Sequence, residues 1–225
     1  MPTPTPPTDT TTAPPRRMLR SDQQAAVDSA VRHLGRPGSR GHIVSACGTG
    51  KTLIALRTAE ALDAAHLLVA VPSLTLLGQW AVAARADGRT EPLMAVSSFD
   101  AGKHPLLAGA GAVSTGSGEY LAYWLAQRRK RHERATVFVT LDSLARIEET
   151  QHTIFPVPVF DLLVVDEAHR TAGSWDKQWT MIHNTRISAD RRLYLTATPY
   201  EWEAPRLTEV PDARPQPKHI AATAP

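Results

Sequence analysis

The chain has 225 residues, 42% of them hydrophobic and 21% charged, which is enough apolar content for one buried core and too little length for a motor of two large lobes. Its formal net charge of +3 does not argue for nucleic-acid binding by itself, and the single cysteine, Cys47, excludes an internal disulfide framework and points to a cytoplasmic setting. No apolar run approaches the roughly 18 to 20 residues of a membrane span, and the Thr- and Pro-rich start lacks the apolar centre of a secretory signal.

Six of the eighteen prolines lie in 1–20 and six in 199–225, so 1–15 and 200–225 are expected to be loosely ordered tails around one domain over 16–199. All thirteen glycines fall between Gly35 and Gly173, which puts the functional loops in that domain. In chain order the pattern predicts a helix over 22–34, a strand over 42–46, a helix over 51–64, a strand over 67–71 and a helix over 74–86. A weaker strand over 94–97 follows, then a surface loop over 101–118. After it come a helix over 119–133, strands over 136–141 and 162–165, a helix over 176–183 and a strand over 193–196. Near-continuous apolar strands separated by helices predict a three-layer α/β domain with a mainly parallel sheet covered on both faces.

The first chemical signal is Ser45-Ala46-Cys47-Gly48-Thr49-Gly50-Lys51-Thr52, set between a predicted strand and a predicted helix. Gly48 and Gly50 let the backbone wrap round phosphate oxygens, the helix start directs unpaired amides at them, Lys51 reaches the outer phosphates and the Thr52 hydroxyl can ligate Mg²⁺. Ser45 stands where the strict pattern has glycine, and a plain Gly-rich turn is the competing reading. The second signal is Leu162-Leu163-Val164-Val165-Asp166-Glu167-Ala168-His169, a buried strand that delivers two acids at its carboxyl end. Asp166 can hold Mg²⁺ and Glu167 can polarise an attacking water, although acids in this place also cap helices.

Other signals carry less. Thr115-Gly116-Ser117-Gly118-Glu119 imitates a phosphate loop but has an acid where the lysine belongs. The basic run 128–134 reads as a solvated helix end or a phosphate contact, and Trp175 and Trp179 as packing residues. Neither a zinc pattern nor a nucleophile elbow occurs.

Taken together, these residues resemble the superfamily 2 DEAH-type helicases and translocases, on the branch that includes restriction enzymes. Ala46 to Thr52 is similar to motif I of that family and Asp166-Glu167-Ala168-His169 to motif II. Leu19-Arg20-Ser21-Asp22-Gln23 is similar to the adenine-reading segment, which makes Gln23 the base contact and adds His169 to the nucleotide site. Val71-Pro72-Ser73-Leu74-Thr75-Leu76-Leu77-Gly78-Gln79-Trp80 resembles motif Ia and Val139-Thr140-Leu141-Asp142-Ser143-Leu144 motif Ib. That resemblance assigns Ser73, Thr75, Thr140 and Ser143 to a nucleic-acid strand, DNA before RNA. Leu195-Thr196-Ala197-Thr198-Pro199 resembles motif III, so Thr196 and Thr198 couple nucleotide state to grip on the strand. The resemblance implies a RecA-like P-loop domain, with ATP and Mg²⁺ as cofactors. It also implies a second lobe with arginine fingers, for which 200–225 holds no counterpart, since Arg206 and Arg214 stand in Pro-rich chain. The expectation is a truncated ATP-binding lobe, with a separately encoded second lobe as a candidate partner. A catalytically silent module binding nucleotide and nucleic acid is the alternative.

Overall fold

The computed structural model describes residues 16–98, 100, 103–171, 182, 186–197, 200–202 and 217–219. Along them the chain alternates α1 (Ser21–His33), β1 (Arg40–Val44), α2 (Lys51–Ala61), β2 (His66–Val71), α3 (Leu74–Ala86) and β3 (Leu93–Val96). It continues with α4 (Pro105–Gly109), β4 (Val113–Thr115), α5 (Gly118–Lys130), β5 (Ala135–Thr140), α6 (Leu144–Gln151), β6 (Leu162–Val165) and β7 (Arg192–Thr196). β8 (Tyr200–Trp202) pairs antiparallel with β9 (Pro217–His219).

The seven strands β1 to β7 form one sheet in the order β1-β7-β6-β2-β5-β3-β4, and every pair is parallel. The period-2 alternation of β2 explains how both faces are covered. Leu67, Val69 and Val71 join Phe138, Leu162, Val164, Leu193 and Leu195 in a core closed by α2 and α3 through Leu56, Ala59, Leu77 and Trp80. Leu68 and Ala70 face the other way, with Val137, Val139, Leu163 and Val165, under Leu121, Trp124, Leu125, Leu144 and Ile147 of α5 and α6. This is the three-layer, RecA-like α/β architecture expected from the strand pattern.

Boundaries shift where single residues leave the regular conformation. Helix α2 stops at Ala61 rather than 64 and α5 at Lys130 rather than 133, and Asp63 and His132 just beyond each end adopt positive φ of 53° and 56°. Strand β1 covers 40–44 instead of 42–46, because Arg40 pairs with Arg192 while Ser45 already belongs to the following loop. β5 ends at Thr140, and Leu141–Ser143 forms a 3₁₀ turn into α6, a helix the pattern did not reveal.

The expected loop over 101–118 is a correction. Pro105 opens α4, buried Leu107 anchors it, and the segment then adds β4 to the sheet edge against β3. Five glycines hid two very short elements whose support is tertiary. Ser117, inside the imitation phosphate loop, caps α5 by accepting from the Tyr120 amide at 3.2 Å. Of the helix expected over 176–183 only Ile182 is among the described residues, and Trp175 and Trp179 lie outside them, as do Arg206 and Arg214.

Candidate nucleotide and strand-binding edge

In a parallel sheet all strands end on the same side, so the strand order decides which loops become neighbours. Here β1, β7 and β6 deliver the phosphate loop, Thr196 and Asp166 next to one another. β2 and β5 deliver Ser73 and Thr140, with Val71 paired to Thr140 in register. The carboxyl edge thereby gathers the expected nucleotide residues on one half, the nucleotide half, and the expected strand contacts on the other, the strand half.

The loop from Ser45 to Gly50 is tied down at several points. The Ser45 amide donates to the Thr196 carbonyl at 3.0 Å, which hangs the loop from β7. The Ser45 hydroxyl donates to Thr49 Oγ1 at 2.8 Å, and Thr49 Oγ1 donates to the Ala46 carbonyl at 2.8 Å. The serine at the position where glycine was expected therefore acts as an internal brace. Gly48 and Gly50 have positive φ of 78° and 91°. Lys51, at the start of α2, folds its ammonium onto the carbonyls of Ser45 at 2.8 Å and Ala46 at 3.0 Å. Thr52, half-buried in the first turn of α2, lines a cleft of about 400 Å³ with Gly50, Leu53, Gln79 and Val82.

Gln23 meets this loop from α1. Its Oε1 accepts from the Arg20 amide at 3.0 Å, capping the helix, and its Nε2 donates to the Thr49 carbonyl at 2.8 Å. Arg20 donates to the same carbonyl at 2.9 Å and pairs with Asp22. Gly50 is required for this approach, because a Cβ built there would lie 2.4 Å from Gln23 Nε2. Gly50→Ala is expected to combine that collision with left-handed strain of about 1–2 kcal/mol. Gly48→Ala keeps only the strain, since nothing lies within 4 Å of its Cβ position. Thermal melting checks this, at about 2–4 °C per kcal/mol, with Gly50→Ala the lower of the two; equal melting temperatures would contradict it.

The acids sit where β6 ends. Asp166 is buried, and its amide donates to the Ala70 carbonyl at 2.9 Å. Its Oδ2 accepts from the Trp80 indole at 2.8 Å and its Oδ1 from the Glu167 amide at 2.9 Å. Burial pushes the Asp166 carboxyl above the usual carboxylate range; the Trp80 and Glu167 hydrogen bonds oppose that rise, as does the charge of Lys51. Glu167 has a φ of 50°, a left-handed backbone that costs a non-glycine residue about 1–3 kcal/mol and is found at functional sites. The Asp166 side chain helps hold that turn. His169 Nδ1 lies 3.2 Å from Glu167 Oε2 and 3.3 Å from Thr196 Oγ1, bridging the acids to buried Thr196 on β7. Thr198 lies outside the described residues.

On the strand half, Ser73 caps α3 by accepting from the Leu76 amide at 3.3 Å, and Thr75 is exposed. Thr140 donates to Ser143 Oγ at 3.0 Å, and Ser143 is buried, so its hydroxyl supports Thr140 from beneath. Sequence reasoning missed Trp80, although the segment containing it was singled out. The available signal was that a tryptophan on an apolar helix needs a partner for its indole N–H.

The donors suit a hard cation: one hydroxyl at Thr52 and one carboxylate at Asp166, both oxygen, match Mg²⁺ carried in with phosphates. Among the described residues no group of three or more His, Cys, Asp and Glu could hold a metal unaided, and no helix is long and apolar enough to cross a membrane.

Comparison with known proteins adds ancestry. A family model described as type III restriction enzyme, res subunit, matches residues 16–201. A nuclease-deletion mutant of the type ISP restriction-modification enzyme LlaGI, solved with a DNA substrate mimic, is similar over 82% of this chain, with 28% identity and a TM-score of 0.68. The ATP-dependent type ISP enzyme LlaBIII bound to DNA is similar over 87%, with 25% identity and a TM-score of 0.64. The likeness spans only 18% and 14% of those two chains. The Sulfolobus solfataricus SWI2/SNF2 ATPase core in complex with dsDNA shares the fold at 17% identity and a TM-score of 0.56, over 82% of this chain and 33% of that one. No curated protein matches the sequence.

Proposed function

Because the chain belongs to the family of the type III restriction enzyme res subunit, we propose that it is the ATP-binding lobe of a DEAH-type helicase or translocase that acts on DNA. The observation that carries this reading is the convergence of Lys51, Asp166, Glu167 and Thr196 on one sheet edge from three adjacent strands. Lys51 and the loop amides hold the β and γ phosphates, and Gln23 reads the base beside the cleft between α2 and α3. Thr52 and Asp166 hold Mg²⁺, which when bound neutralises phosphate charge. Glu167, aimed by its strained backbone and by His169, orients and deprotonates the water that attacks the γ phosphate in line. His169 and Thr196 then relay to β7 whether that phosphate is present, and Thr198 is proposed to share the task. A cytoplasmic setting accords with one exposed, unpaired cysteine, Cys47.

DNA is proposed to cross the strand half, where Ser73, Thr75 and Thr140 offer hydroxyls and backbone amides to phosphates. Hydroxyls displace few counterions, and the chain carries only +3. Binding is therefore expected to be weak and indifferent to sequence, with log K falling against log salt at a slope shallower than about −3. Titration of labelled DNA and RNA at several salt concentrations, with and without Mg²⁺-ATP, tests the reading. Failure to bind any nucleotide would remove it. Tight, sequence-dependent binding that resists salt would replace the translocase with a specific reader.

A further inference from the structure

Helix α3 sends one side chain into the metal-binding half of the edge. Trp80 lies about two turns beyond Ser73 on the same helix and is 1% exposed, packed in the core with Leu77, Ala81 and Val164. Its indole Nε1 donates at 2.8 Å to Oδ2 of Asp166, a residue 86 positions away in sequence. The other carboxylate oxygen is held at 2.9 Å by the Glu167 amide. An indole offers a single donor and no acceptor, so it fixes one oxygen while leaving further lone pairs of the carboxylate for a cation. With both oxygens restrained, the Asp166 side chain has one orientation, chosen in part by a helix that begins on the strand half.

We propose that Trp80 is a positioning residue for Asp166, and that this hydrogen bond makes α3 the rigid link between the strand contacts and the metal-binding carboxylate. The inference rests on the reading that Asp166 serves a Mg²⁺-nucleotide. Nothing in the sequence motif marks Trp80 for it, because an indole in an apolar helix equally reads as core. Its position supports more than packing. Trp80 joins α3 by a hydrogen bond to the end of β6, and the bond it makes is to a buried carboxylate whose orientation the chemistry needs.

The test is nucleotide binding by the purified chain as Mg²⁺ is titrated, read by calorimetry with ADP and needing no turnover. Partners that orient a metal ligand are worth about 10- to 100-fold in metal affinity. Trp80→Phe is expected to raise the Mg²⁺ concentration for half-maximal binding at least tenfold, with Mg²⁺-free ADP affinity unchanged. Leu77→Ala removes comparable core from the same helix without touching Asp166; it is expected to lower the melting temperature and leave the Mg²⁺ requirement alone. Should Trp80→Phe fail to fold, the benzothiophene isostere of tryptophan at position 80 keeps the ring shape and deletes only the N–H. It is expected to show the same tenfold rise. A wild-type Mg²⁺ requirement in the Trp80→Phe or isostere protein, or an equal rise in Leu77→Ala, would overturn the proposal. Absence of any Mg²⁺-dependent binding by the unmodified chain would instead overturn the reading of the site.

Discussion

Lys51→Ala is expected to weaken Mg²⁺-ATP binding at least tenfold, about 1.4 kcal/mol, and calorimetry on the purified chain checks it. Lys51 is only 9% exposed and its ammonium is already bonded to the carbonyls of Ser45 and Ala46, so it is held inside the loop before any phosphate arrives. An ammonium has three donors and two are used here, leaving one and the full charge for an incoming phosphate oxygen. Alanine removes that charge and also the tether across the loop. Arginine keeps the charge, but its planar fork does not reproduce two converging bonds to successive carbonyls, so Lys51→Arg is expected to recover only part of the loss. Affinity unchanged in Lys51→Ala would mean that Ser45 to Gly50 is a Gly-rich turn and no phosphate cradle.

How legible this was in the sequence depended on how far apart the cooperating residues lie. The loop and the acids are consecutive residues between a strand and a helix, and the strands advertise themselves because burial on both faces leaves unbroken runs such as Leu162 to Val165. Family and architecture followed from those runs and motifs. What stayed hidden was short or tertiary. β4 is three residues long and gains its place by pairing with β3, and α6 shows buried Leu144, Ile147 and Thr150 only once β5 positions it. The Ser45 hydroxyl looked like a departure from the phosphate-loop pattern, yet it bonds Thr49 within the loop. The expected role of Gln23 is contact with a base, and the sequence did not show that its side-chain amide also bonds the Arg20 amide and the Thr49 carbonyl and so couples α1 to the loop. The Trp80 to Asp166 bond crosses 86 positions, and no local pattern encodes such a pairing.

Assayed as these 225 residues, the protein is expected to turn ATP over about 10³- to 10⁵-fold more slowly than when a second lobe supplies an arginine finger. Glu167 can orient water and Mg²⁺ can neutralise part of the charge, yet charge on the transferring phosphoryl group calls for a further cation on its far side. Lys51 is anchored to the loop floor, and Arg20 is committed to the Thr49 carbonyl and Asp22. Adding DNA is expected to leave the rate unchanged, because movement along a strand requires two grips whose separation alters with nucleotide state, and the edge described here provides one. His169 and Thr196 can then register the γ phosphate with no opposing lobe to move. Steady-state hydrolysis with and without saturating DNA, beside Glu167→Gln as the blank, measures this directly. Fast, DNA-stimulated turnover that vanishes in Glu167→Gln would show that the missing cation comes from within the chain or from a second copy of it. Restoration of turnover by a separately supplied second lobe, lost when that lobe's arginines are replaced, would identify the cleft between lobes as the complete site.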